Sequence, residues 1–495
     1  MNLSDYRERL DRIDTELLRL FSERMEIASE IGLYKKQNAL PLLDRAREEE
    51  KLRTLCGACP GEDAPAVRAL FEKIMELSRA RQRLVQDRQL RCGLLGEKLS
   101  HSYSPQIHAL LADYRYELFE KSPDEVENFI LHGDWDGLNV TIPYKKTVMG
   151  FCGELSDRAR EIGSVNTLVR RPDGSIFGDN TDAAGFVMLL RHSGIDPRGR
   201  KCLVLGSGGA SVMACCMLRS LGAGSVTVIS RHGEDNYENI GRHADAEIIV
   251  NTTPVGMYPR NGEAAVELSL FPCCCGVVDV VYNPARTALL LQAEKRGIPH
   301  AGGLYMLVGQ AKRSCELFTG MSIPDTEIDR IETMLARSMQ NIVLIGMPGC
   351  GKSTVGSLLA EKLARPLCEA DAEIEKAAGM SIPEIFAIGG ETSFRQKETA
   401  VLSELGKRSG AVISTGGGCV TREGNYSLLH QNGVIVWLRR EIDALPKDGR
   451  PISLKSDLHE LYEKRRPLYA RFADAVVDND GTPEETVEKI LEVLG

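Results

Sequence analysis

Residues 346–354 read Gly-Met-Pro-Gly-Cys-Gly-Lys-Ser-Thr, and they lie between the apolar run of residues 342–345 and a predicted helix. Strand, glycine-rich loop and helix in this order predict a loop that binds the phosphates of a nucleoside triphosphate. The glycines let backbone N–H groups surround phosphate oxygens, while the lysine adds a positive charge. The predicted nucleotide-binding residues are Gly346, Gly349, Gly351, Lys352, Ser353 and Thr354, and Ser353 is also the predicted magnesium ligand.

Changes in composition divide the chain of 495 residues into three regions. At ~150 residues per domain this length predicts about three domains, and the phosphate loop begins the last of them. The first region is charged and follows a helical period, whereas from about residue 90 short apolar runs alternate with helical stretches and glycine turns. Such alternation predicts an α/β architecture with parallel strands. The predicted domains are residues 1–88, 89–335 and 336–495.

The overall composition narrows the classes of function. With 43% hydrophobic residues, 26% charged residues and a net charge of -9, the chain is typical of soluble globular proteins and unlike a nucleic-acid-binding protein. The start of the chain has no apolar signal region, and no stretch approaches the ~20 apolar residues of a membrane helix. We therefore expect a cytoplasmic protein without nucleic acid or membrane partners. The 14 cysteines lack zinc-ligand spacing and are expected to be free thiols.

The first region predicts one long helix with an apolar seam. Arg24 lies inside this seam, and Lys35 lies three helical turns further along the same face. An arginine in an apolar seam is costly unless it is paired, so Arg24 either sets the register of packed helices or binds an anion. A later helix carries Ser78 and Gln82 as polar intrusions in its own apolar stripe, which suggests a site for a dianion. The seam consists of Leu10, Ile13, Leu17, Leu20, Arg24, Ile27, Ile31 and Tyr34.

With these cations and polar residues, residues 3–85 resemble the all-helical chorismate mutase family. The resemblance implies conversion of chorismate to prephenate, a rearrangement that needs neither a nucleophile nor a proton transfer, so conformational restraint and positive charge suffice. It also implies a homodimer that shares the first helix, with Arg7 reaching into the partner's site. The implied catalytic residues are Arg24, Lys35 and Gln82, and the implied substrate-binding residues are Arg7, Asp44, Arg47, Glu48 and Ser78.

A glycine turn at residues 206–210, Gly-Ser-Gly-Gly-Ala, follows an apolar strand and begins a helical run. This position predicts a dinucleotide-binding turn, although Ser211 replaces the third glycine of the usual fingerprint. After the next strand, Ser230 and Arg231 stand where an acidic residue would select NAD, and a cation there favours the 2′-phosphate of NADP. The acidic pair at residues 234–235 leaves NAD open. The predicted cofactor-binding residues are Gly206, Gly208, Gly209, Ala210, Ser230 and Arg231.

Short polar motifs lie on both sides of this turn. Each is typical of a loop when taken alone, but together and in order they resemble shikimate dehydrogenase over about residues 91–320. They are His101-Ser-Tyr-Ser-Pro105, Asn139-Val-Thr-Ile-Pro-Tyr-Lys145, Val165-Asn-Thr167, Gly178-Asp-Asn-Thr-Asp182, Asn251-Thr-Thr-Pro-Val-Gly256 and Gly302-Gly-Leu-Tyr-Met-Leu-Val-Gly-Gln310. The resemblance implies reduction of 3-dehydroshikimate to shikimate, with Lys145 and Asp182 as the catalytic pair that passes a proton as hydride is transferred. The implied substrate-binding residues are Ser102, Ser104, Thr141, Asn166, Tyr282 and Gln310.

Charged and glycine-rich motifs follow the phosphate loop, and they resemble shikimate kinase over residues 340–495. They are Cys368-Glu-Ala-Asp371, Phe394-Arg-Gln-Lys-Glu398, Gly416-Gly-Gly418, Gly449-Arg-Pro451 and Lys464-Arg-Arg-Pro-Leu-Tyr469. The resemblance implies phosphorylation of shikimate by ATP, with Lys352 and Asp371 as catalytic residues and Arg450 in a lid beside the nucleotide. The implied substrate-binding residues are Arg395 and Arg465, which would clamp the carboxylate, and Gly416, Gly417 and Gly418, which let the backbone approach the ring.

Two positions depart from the kinase pattern. Glu369 stands where the family usually has an aspartate, which alters the expected surroundings of magnesium. The segment between Trp437 and Arg450 is shorter than usual, so the lid and its adenine contacts are expected to differ.

The fold class that we predict is multidomain: an all-α mutase-like domain, a two-lobed α/β dehydrogenase with a Rossmann half, and an α/β phosphate-loop kinase domain. The predicted function is a multifunctional enzyme of the shikimate pathway and aromatic amino acid biosynthesis, with NADP, ATP and Mg²⁺ as cofactors. Two alternatives stay open: the mutase region serves as a regulatory sensor or dimerisation arm, or the dehydrogenase prefers quinate or NAD. The intact set of cations in the first region argues against the sensor.

Overall fold

The computed structural model describes residues 3–38, 40–41, 43–59, 61–87, 89–99, 102–445 and 458–495. The chain forms two compact units, which are Met1–Thr181 with Ala311–Ile323, and Asp182–Gln310 with Pro324–Gly495. Among the described residues, no helix has both the length and the apolar character that crossing a bilayer requires. All 14 cysteines are described, and each is a free thiol.

The first unit begins with three helices. The first can run for many turns because its segment has no proline and no glycine before Gly32. The second begins at Asp44, whose carboxylate accepts a hydrogen bond of 3.1 Å from the Arg47 N–H and so caps the helix. The first and third helices pack together, and a Cβ added at Gly32 would lie 3.0 Å from Gln82 Cα. The helices are α1 (Leu3–Gln37), α2 (Arg45–Gly57) and α3 (Ala64–Asp87).

The apolar seam of α1 is exposed in this chain. Leu17, at the middle of the seam, keeps 56% of its surface, and the other apolar members are exposed to a similar degree. The residues of α1 that are buried include Ala28, Ser29 and Gly32, and Ser29 Oγ accepts a hydrogen bond of 3.0 Å from Arg81 Nε on α3. A long exposed apolar stripe of this kind marks an interaction surface.

The rest of the first unit is built on a six-stranded sheet with strand order β2-β1-β3-β5-β6-β4. The sequence pattern predicts parallel strands, but this sheet is mixed, because β5 is antiparallel to both β3 and β6. The loop of residues 171–175 accounts for the β5–β6 pair, because its Pro-Asp-Gly sequence makes a tight turn that is too short for a parallel crossover. The elements are β1 (Arg91–Gly96), α4 (Ser104–Leu111), β2 (Arg115–Glu120), α5 (Pro123–His132), β3 (Gly137–Val140), β4 (Glu154–Leu155), α6 (Asp157–Ile162), β5 (Thr167–Arg170) and β6 (Ile176–Asp179).

The second unit contains a five-stranded parallel sheet with strand order β11-β10-β9-β7-β8. Its central strands are almost wholly buried, as the continuous apolar runs predict for a parallel sheet covered on both faces. The elements are α7 (Thr181–His192), β7 (Lys201–Leu205), α8 (Gly209–Ser220), β8 (Ser225–Ile229), β9 (Ile248–Asn251), β10 (Gly276–Asp279), α9 (Ala288–Lys295), β11 (His300–Ala301) and α10 (Leu304–Thr319), of which α10 ends in the first unit.

A second parallel sheet in this unit has strand order β13-β14-β12-β15-β16. Its central strand, β12, leads into the phosphate loop. Helix α14 is kinked at Gly390, where φ is +67°. The elements are α11 (Thr326–Met339), β12 (Asn341–Ile345), α12 (Lys352–Leu363), β13 (Leu367–Glu369), α13 (Ala370–Ala378), α14 (Ile382–Gly406), β14 (Val412–Ser414), α15 (Gly424–His430), β15 (Gly433–Arg439), α16 (Leu458–Phe472), β16 (Ala475–Asp478) and α17 (Pro483–Leu494).

Asp279 is a buried carboxylate at the end of β10. Its Oδ1 accepts hydrogen bonds of 3.0 Å from Asn251 Nδ2 and from the Val281 N–H, and its Oδ2 accepts one of 2.7 Å from Thr287 Oγ1. Burial raises the pKa of Asp279 to about 6, although all three donors oppose that shift. The carboxylate therefore ties two strand ends to the start of α9.

This raised pKa predicts how stability depends on pH. The folded state holds the Asp279 proton more tightly than the unfolded chain, so a stabilisation that is complete below about pH 4 is lost as pH rises through the folded pKa of about 6. We expect Asp279→Asn to remove this component, which is on the order of 3 kcal/mol. Urea unfolding of the wild type and of Asp279→Asn between pH 4.5 and 7.5 tests this prediction. A difference in unfolding free energy between the two proteins that does not vary with pH would contradict it.

Candidate active sites

The phosphate loop has the backbone geometry that phosphate binding needs. Gly346 and Gly351 have φ values of +147° and +96°, and a Cβ at Gly346 would lie 2.5 Å from the Leu438 carbonyl oxygen. Lys352 Nζ donates hydrogen bonds of 3.0 Å to the carbonyls of Gly346 and Met347, so its charge lies over the loop. The N-terminus of α12, which attracts anions, follows at once.

Ser353 and Glu369 form an oxygen pair beside this loop. Ser353 Oγ donates a hydrogen bond of 3.0 Å to Glu369 Oε2. Hydroxyl and carboxylate oxygens are ligands that Mg²⁺ accepts, and 3.0 Å is close to the separation of about 2.9 Å between adjacent ligands of an octahedral Mg²⁺. These residues therefore fit a magnesium ion, and Glu369 reaches Ser353 although it replaces the usual aspartate.

The acceptor side of the same cavity holds two buried arginines. The cavity has a volume of about 800 Å³ and is lined by the phosphate loop and by residues of α13, α14 and α16. Arg465 Nη1 donates to the Gly417 carbonyl at 3.1 Å, and Arg395 Nη1 donates to Glu398 Oε2 at 2.7 Å. The structure thus brings Asp371, Arg395, Arg465 and residues 416–418 together around one cavity with Lys352, Ser353 and Glu369. The predicted lid residue Arg450 lies outside the described residues.

The three glycines at residues 416–418 are required by close packing. A Cβ at Gly416 would lie 2.9 Å from Asp371 Oδ1, and a Cβ at Gly417 would lie 2.6 Å from Pro348 Cδ. A Cβ at Gly418 would collide with the guanidinium of Arg395. The backbone therefore lines the cavity directly.

Glu398 is a site residue to which the sequence interpretation assigned no role. It is 0% exposed, its Oε1 has no hydrogen-bond partner among the described residues, and burial raises its pKa. Its other oxygen holds Arg395, three residues earlier on α14. The spacing of an arginine and a glutamate by one helical turn was visible in the sequence, but its burial was not.

In the first unit, the dehydrogenase-like motifs follow strand ends and helix starts. Ser104 lies at the start of α4, where its N–H donates to Ser102 Oγ at 3.2 Å, and Thr141 follows β3. The Lys145 carbonyl accepts a hydrogen bond of 2.8 Å from the Val165 N–H, which fixes the backbone that carries the lysine. Asn166 Oδ1 accepts a hydrogen bond of 2.7 Å from the Thr181 N–H.

In the second unit, Asp182 lies in the first turn of α7, Tyr282 follows β10, and Gln310 Nε2 donates to the Leu307 carbonyl at 2.9 Å within α10. The turn of residues 206–210 has an open surface at its second and third glycines, where an added Cβ would meet nothing within 4 Å. A dinucleotide pyrophosphate can therefore approach its backbone closely.

The end of β8 carries Ser230 and Arg231, the residues that are predicted to select the cofactor. The Ser230 N–H donates to the Asp235 carbonyl at 3.2 Å, and Arg231 is exposed. The Asp235 carboxylate is engaged by His243, with 2.8 Å between Oδ1 and Nε2. A cation is thus available for a 2′-phosphate, while this acidic neighbour already has a partner.

The helical region places several of its predicted residues together. Arg24 Nη1 donates to Ser78 Oγ and, at 3.4 Å, to the Ile74 carbonyl, and burial lowers the pKa of Arg24. Gln82, one turn beyond Ser78 on α3, is buried, and its Oε1 has no hydrogen-bond partner among the described residues. Glu48 forms an ion pair with Arg79, with 2.5 Å between Oε2 and Nη1, and the sequence did not predict this pair.

Other predicted residues of this region have different surroundings. Lys35 is half-buried on α1, and Arg47 is exposed. Asp44 caps α2, so its carboxylate has a structural role in this chain. Arg7 is exposed and lies 17 residues before Arg24 on α1, which is roughly 26 Å along a helix. Arg7 therefore does not share a site with Arg24 within one chain.

Comparisons with known proteins found curated relatives that match about half of this chain. A shikimate dehydrogenase (NADP(+)) from Clostridium perfringens strain SM101 is 35% identical over 261 residues, which are 48% of this chain and 96% of that protein. The shikimate dehydrogenase (NADP(+)) of Methanopyrus kandleri is 38% identical over 265 residues, which are 47% of this chain and 91% of that protein. The chain belongs to the shikimate dehydrogenase family. Within the dehydrogenase part, residues 94–168 match the family model described as Shikimate dehydrogenase substrate binding domain.

Two further family models match on either side of the dehydrogenase. Residues 6–83 match Chorismate mutase type II, and residues 348–495 match Shikimate kinase. The chain therefore carries chorismate mutase, shikimate dehydrogenase and shikimate kinase domains and is a multifunctional enzyme of the shikimate pathway. The family matches do not favour the alternative of a regulatory sensor.

Two solved structures are also similar to about half of this chain. A chorismate mutase/shikimate 5-dehydrogenase fusion protein from Clostridium acetobutylicum is 36% identical, with 50% of this chain and 97% of that chain covered and a TM-score of 0.48. The shikimate 5-dehydrogenase of Thermus thermophilus in complex with NADP(H) and shikimate is 28% identical, with 50% and 99% covered and a TM-score of 0.46.

We predict that Gly418→Ala disables the kinase selectively. The new methyl group collides with the Arg395 guanidinium, and a displacement of about 1 Å at such a group lowers kcat/KM by roughly 100-fold. Gly424→Ala is the matched control, because a Cβ there would meet nothing within 4 Å. Initial rates with shikimate and ATP measure the effect, and the dehydrogenase rate of the same sample is the internal reference. Equal kinase rates for the two variants would count against this geometry.

Proposed function

We propose that the chain reduces 3-dehydroshikimate to shikimate with NADPH, phosphorylates shikimate with ATP and Mg²⁺, and converts chorismate to prephenate. The observation that carries the kinase part of this proposal is its cavity, where an anion-binding loop, an oxygen pair suited to magnesium and two buried arginines surround one space. The family matches support the other two activities. NADP is the proposed cofactor because the relatives are NADP(+) enzymes and Arg231 is exposed beyond β8. The proposed domains are residues 1–88, 89–335 and 336–495, and the last boundary falls inside α11.

In the kinase, Asp371 orients or deprotonates the shikimate hydroxyl, while Arg395 and Arg465 bind the carboxylate through paired N–H groups. Lys352 and the N–H groups of the phosphate loop hold the nucleotide phosphates. Ser353 and Glu369 hold the magnesium ion, which neutralises charge on the phosphates when it is bound. The remaining proposed nucleotide-binding residues are Gly346, Gly349, Gly351, Thr354 and Arg450.

In the dehydrogenase, Lys145 and Asp182 form the proposed catalytic pair, which supplies a proton to the carbonyl oxygen as hydride arrives at its carbon. Ser102 and Ser104 bind the carboxylate. The rest of the substrate is bound by Thr141, Asn166, Tyr282 and Gln310. The cofactor is bound by Gly206, Gly208, Gly209, Ala210, Ser230 and Arg231.

In the mutase, Arg24, Lys35 and Gln82 place donors at the charge that develops on the breaking C–O bond. Ser78, Arg47, Glu48 and Asp44 complete the proposed site. Arg7 belongs to the site of a second chain, which agrees with its distance of roughly 26 Å from Arg24. The protein is therefore proposed to be a homodimer that pairs through the exposed seam of α1.

Two single substitutions separate the first two activities. In a mixture of 3-dehydroshikimate, NADPH, ATP and Mg²⁺, we expect the wild type to form shikimate 3-phosphate. Asp371→Asn should accumulate shikimate, and Lys145→Met should form product only when shikimate is added, because each change removes a proposed proton-transfer group. Mass spectrometry of the products is the measurement, and the proposal fails if the wild type leaves 3-dehydroshikimate unchanged or if Lys145→Met reduces it normally.

Leu17→Glu is expected to separate the dimer and to abolish mutase activity. A carboxylate at the middle of the apolar seam disfavours burial of that face, and a separated chain lacks the partner's arginine. Leu70→Glu is the matched control, since Leu70 on α3 is 54% exposed and Leu17 is 56% exposed. Light scattering after size exclusion should give about 54.4 kDa for Leu17→Glu and twice that mass for the control. A monomeric wild type with full mutase activity would overturn the dimer.

A further inference from the structure

Three buried polar side chains of the first unit meet at the hydroxyl group of Ser314. Ser314 Oγ on α10 lies 2.7 Å from Asn139 Nδ2, 2.9 Å from Thr167 Oγ1 and 2.9 Å from Thr181 Oγ1. Ser314, Thr167 and Thr181 are 0% exposed. Since an amide nitrogen can only donate, Ser314 Oγ accepts a hydrogen bond from Asn139.

The Asn139 amide is hydrogen-bonded on both sides. The Tyr116 hydroxyl donates to Asn139 Oδ1 at 2.8 Å, and Asn139 Nδ2 also donates to Thr167 Oγ1 at 3.2 Å. The serine hydroxyl is therefore part of a buried network that continues through Asn139 to Tyr116.

The same cluster fixes the amide of Asn166. Its Oδ1 accepts a hydrogen bond of 2.7 Å from the backbone N–H of Thr181, and the hydroxyls of Thr167 and Thr181 each lie 3.1 Å from that oxygen. A backbone N–H only donates, so this oxygen cannot exchange places with Nδ2. Asn166 consequently has its NH₂ group, a pure donor, available for a partner outside the cluster.

Each segment in the cluster continues into a residue of the proposed dehydrogenase site. Asn139 comes two residues before Thr141, Thr167 follows Asn166, and Thr181 precedes Asp182. Ser314 itself lies one helical turn after Gln310 on α10. One hydroxyl therefore contacts side chains next to the proposed substrate-binding and catalytic residues, although it is remote from all of them in sequence except Gln310.

We infer that Ser314 is a positioning residue of the dehydrogenase, which holds Asn166 so that its NH₂ group donates to an oxygen of the substrate. The inference rests on the proposed function, in which Asn166 binds substrate. Without the serine hydroxyl, the buried Asn139 NH₂ loses an acceptor and the two threonines lose a neighbour, so Asn166 loses part of its support.

Ser314→Ala in the full-length chain tests the inference. We expect the KM for shikimate to rise roughly 5- to 30-fold, the range that one lost buried hydrogen bond produces, with a smaller fall in kcat. Thr319→Ala is the matched control on the same helix, because its hydroxyl donates to the Cys315 carbonyl at 2.7 Å and it is not part of the cluster. Kinase and mutase rates should stay unchanged in both variants, and a KM for Ser314→Ala equal to that of the wild type would overturn the inference.

A double-mutant cycle with Asn166→Ala separates positioning from a general structural effect. If Ser314 acts through Asn166, adding Ser314→Ala to Asn166→Ala should change the KM by less than twofold, whereas full additivity would refute the inference. Ser314→Cys keeps a weak donor and acceptor, so its KM for shikimate should lie between those of the wild type and Ser314→Ala. This variant replaces Ser314→Ala if the alanine protein does not fold. Failure of the proposed function is distinguishable, since Asn166→Ala alone would then leave the KM unchanged.

Discussion

Burying a charge beside a reacting centre requires a compensating partner, and this constraint shapes the sites of the protein. In the kinase, Arg395 is nearly buried and is held by Glu398 at 2.7 Å. In the helical region, Arg24 is half-buried and donates to Ser78 and to a backbone carbonyl. An unpaired buried charge costs several kcal/mol, so these partners set the geometry of the cations before any substrate is present. Arg395, which is proposed to bind the substrate carboxylate, therefore has its position fixed by the protein itself.

Much of this arrangement could be predicted from the sequence where the chemistry is local. The phosphate loop combines strand, glycines and helix within residues 342–363, and the structure has these elements in that order. The long helix and its seam follow from a period that no proline interrupts. The parallel sheets of the second unit follow from short apolar runs separated by helices. In each case the signal and the structure occupy the same few residues.

The remaining features depend on residues that meet only after folding. Ser314 lies 175 residues from Asn139 and 133 residues from Thr181 in the sequence, so spacing gives no indication of their contact. The role of Glu398 depends on complete burial, which a motif does not encode. The mixed sheet had a local signal, the Pro-Asp-Gly turn before Ser175, but the general alternation of strands and helices outweighed it in the prediction.

The first unit is built from two separate stretches of the chain, and this has a consequence for synthesis on the ribosome. Its core includes a cluster in which Cys92 and Tyr114 pack with Cys315, Phe318 and Ile323 of the returning segment. That segment emerges roughly 130 residues after the rest of the unit, which at 5–20 residues per second is a delay of about 7–26 s. During this interval an apolar surface of the nascent chain lacks its covering helix. The order of the chain thus delays completion of this core until residues 182–310 have been synthesised, whereas the residues that match the kinase family lie in one continuous stretch.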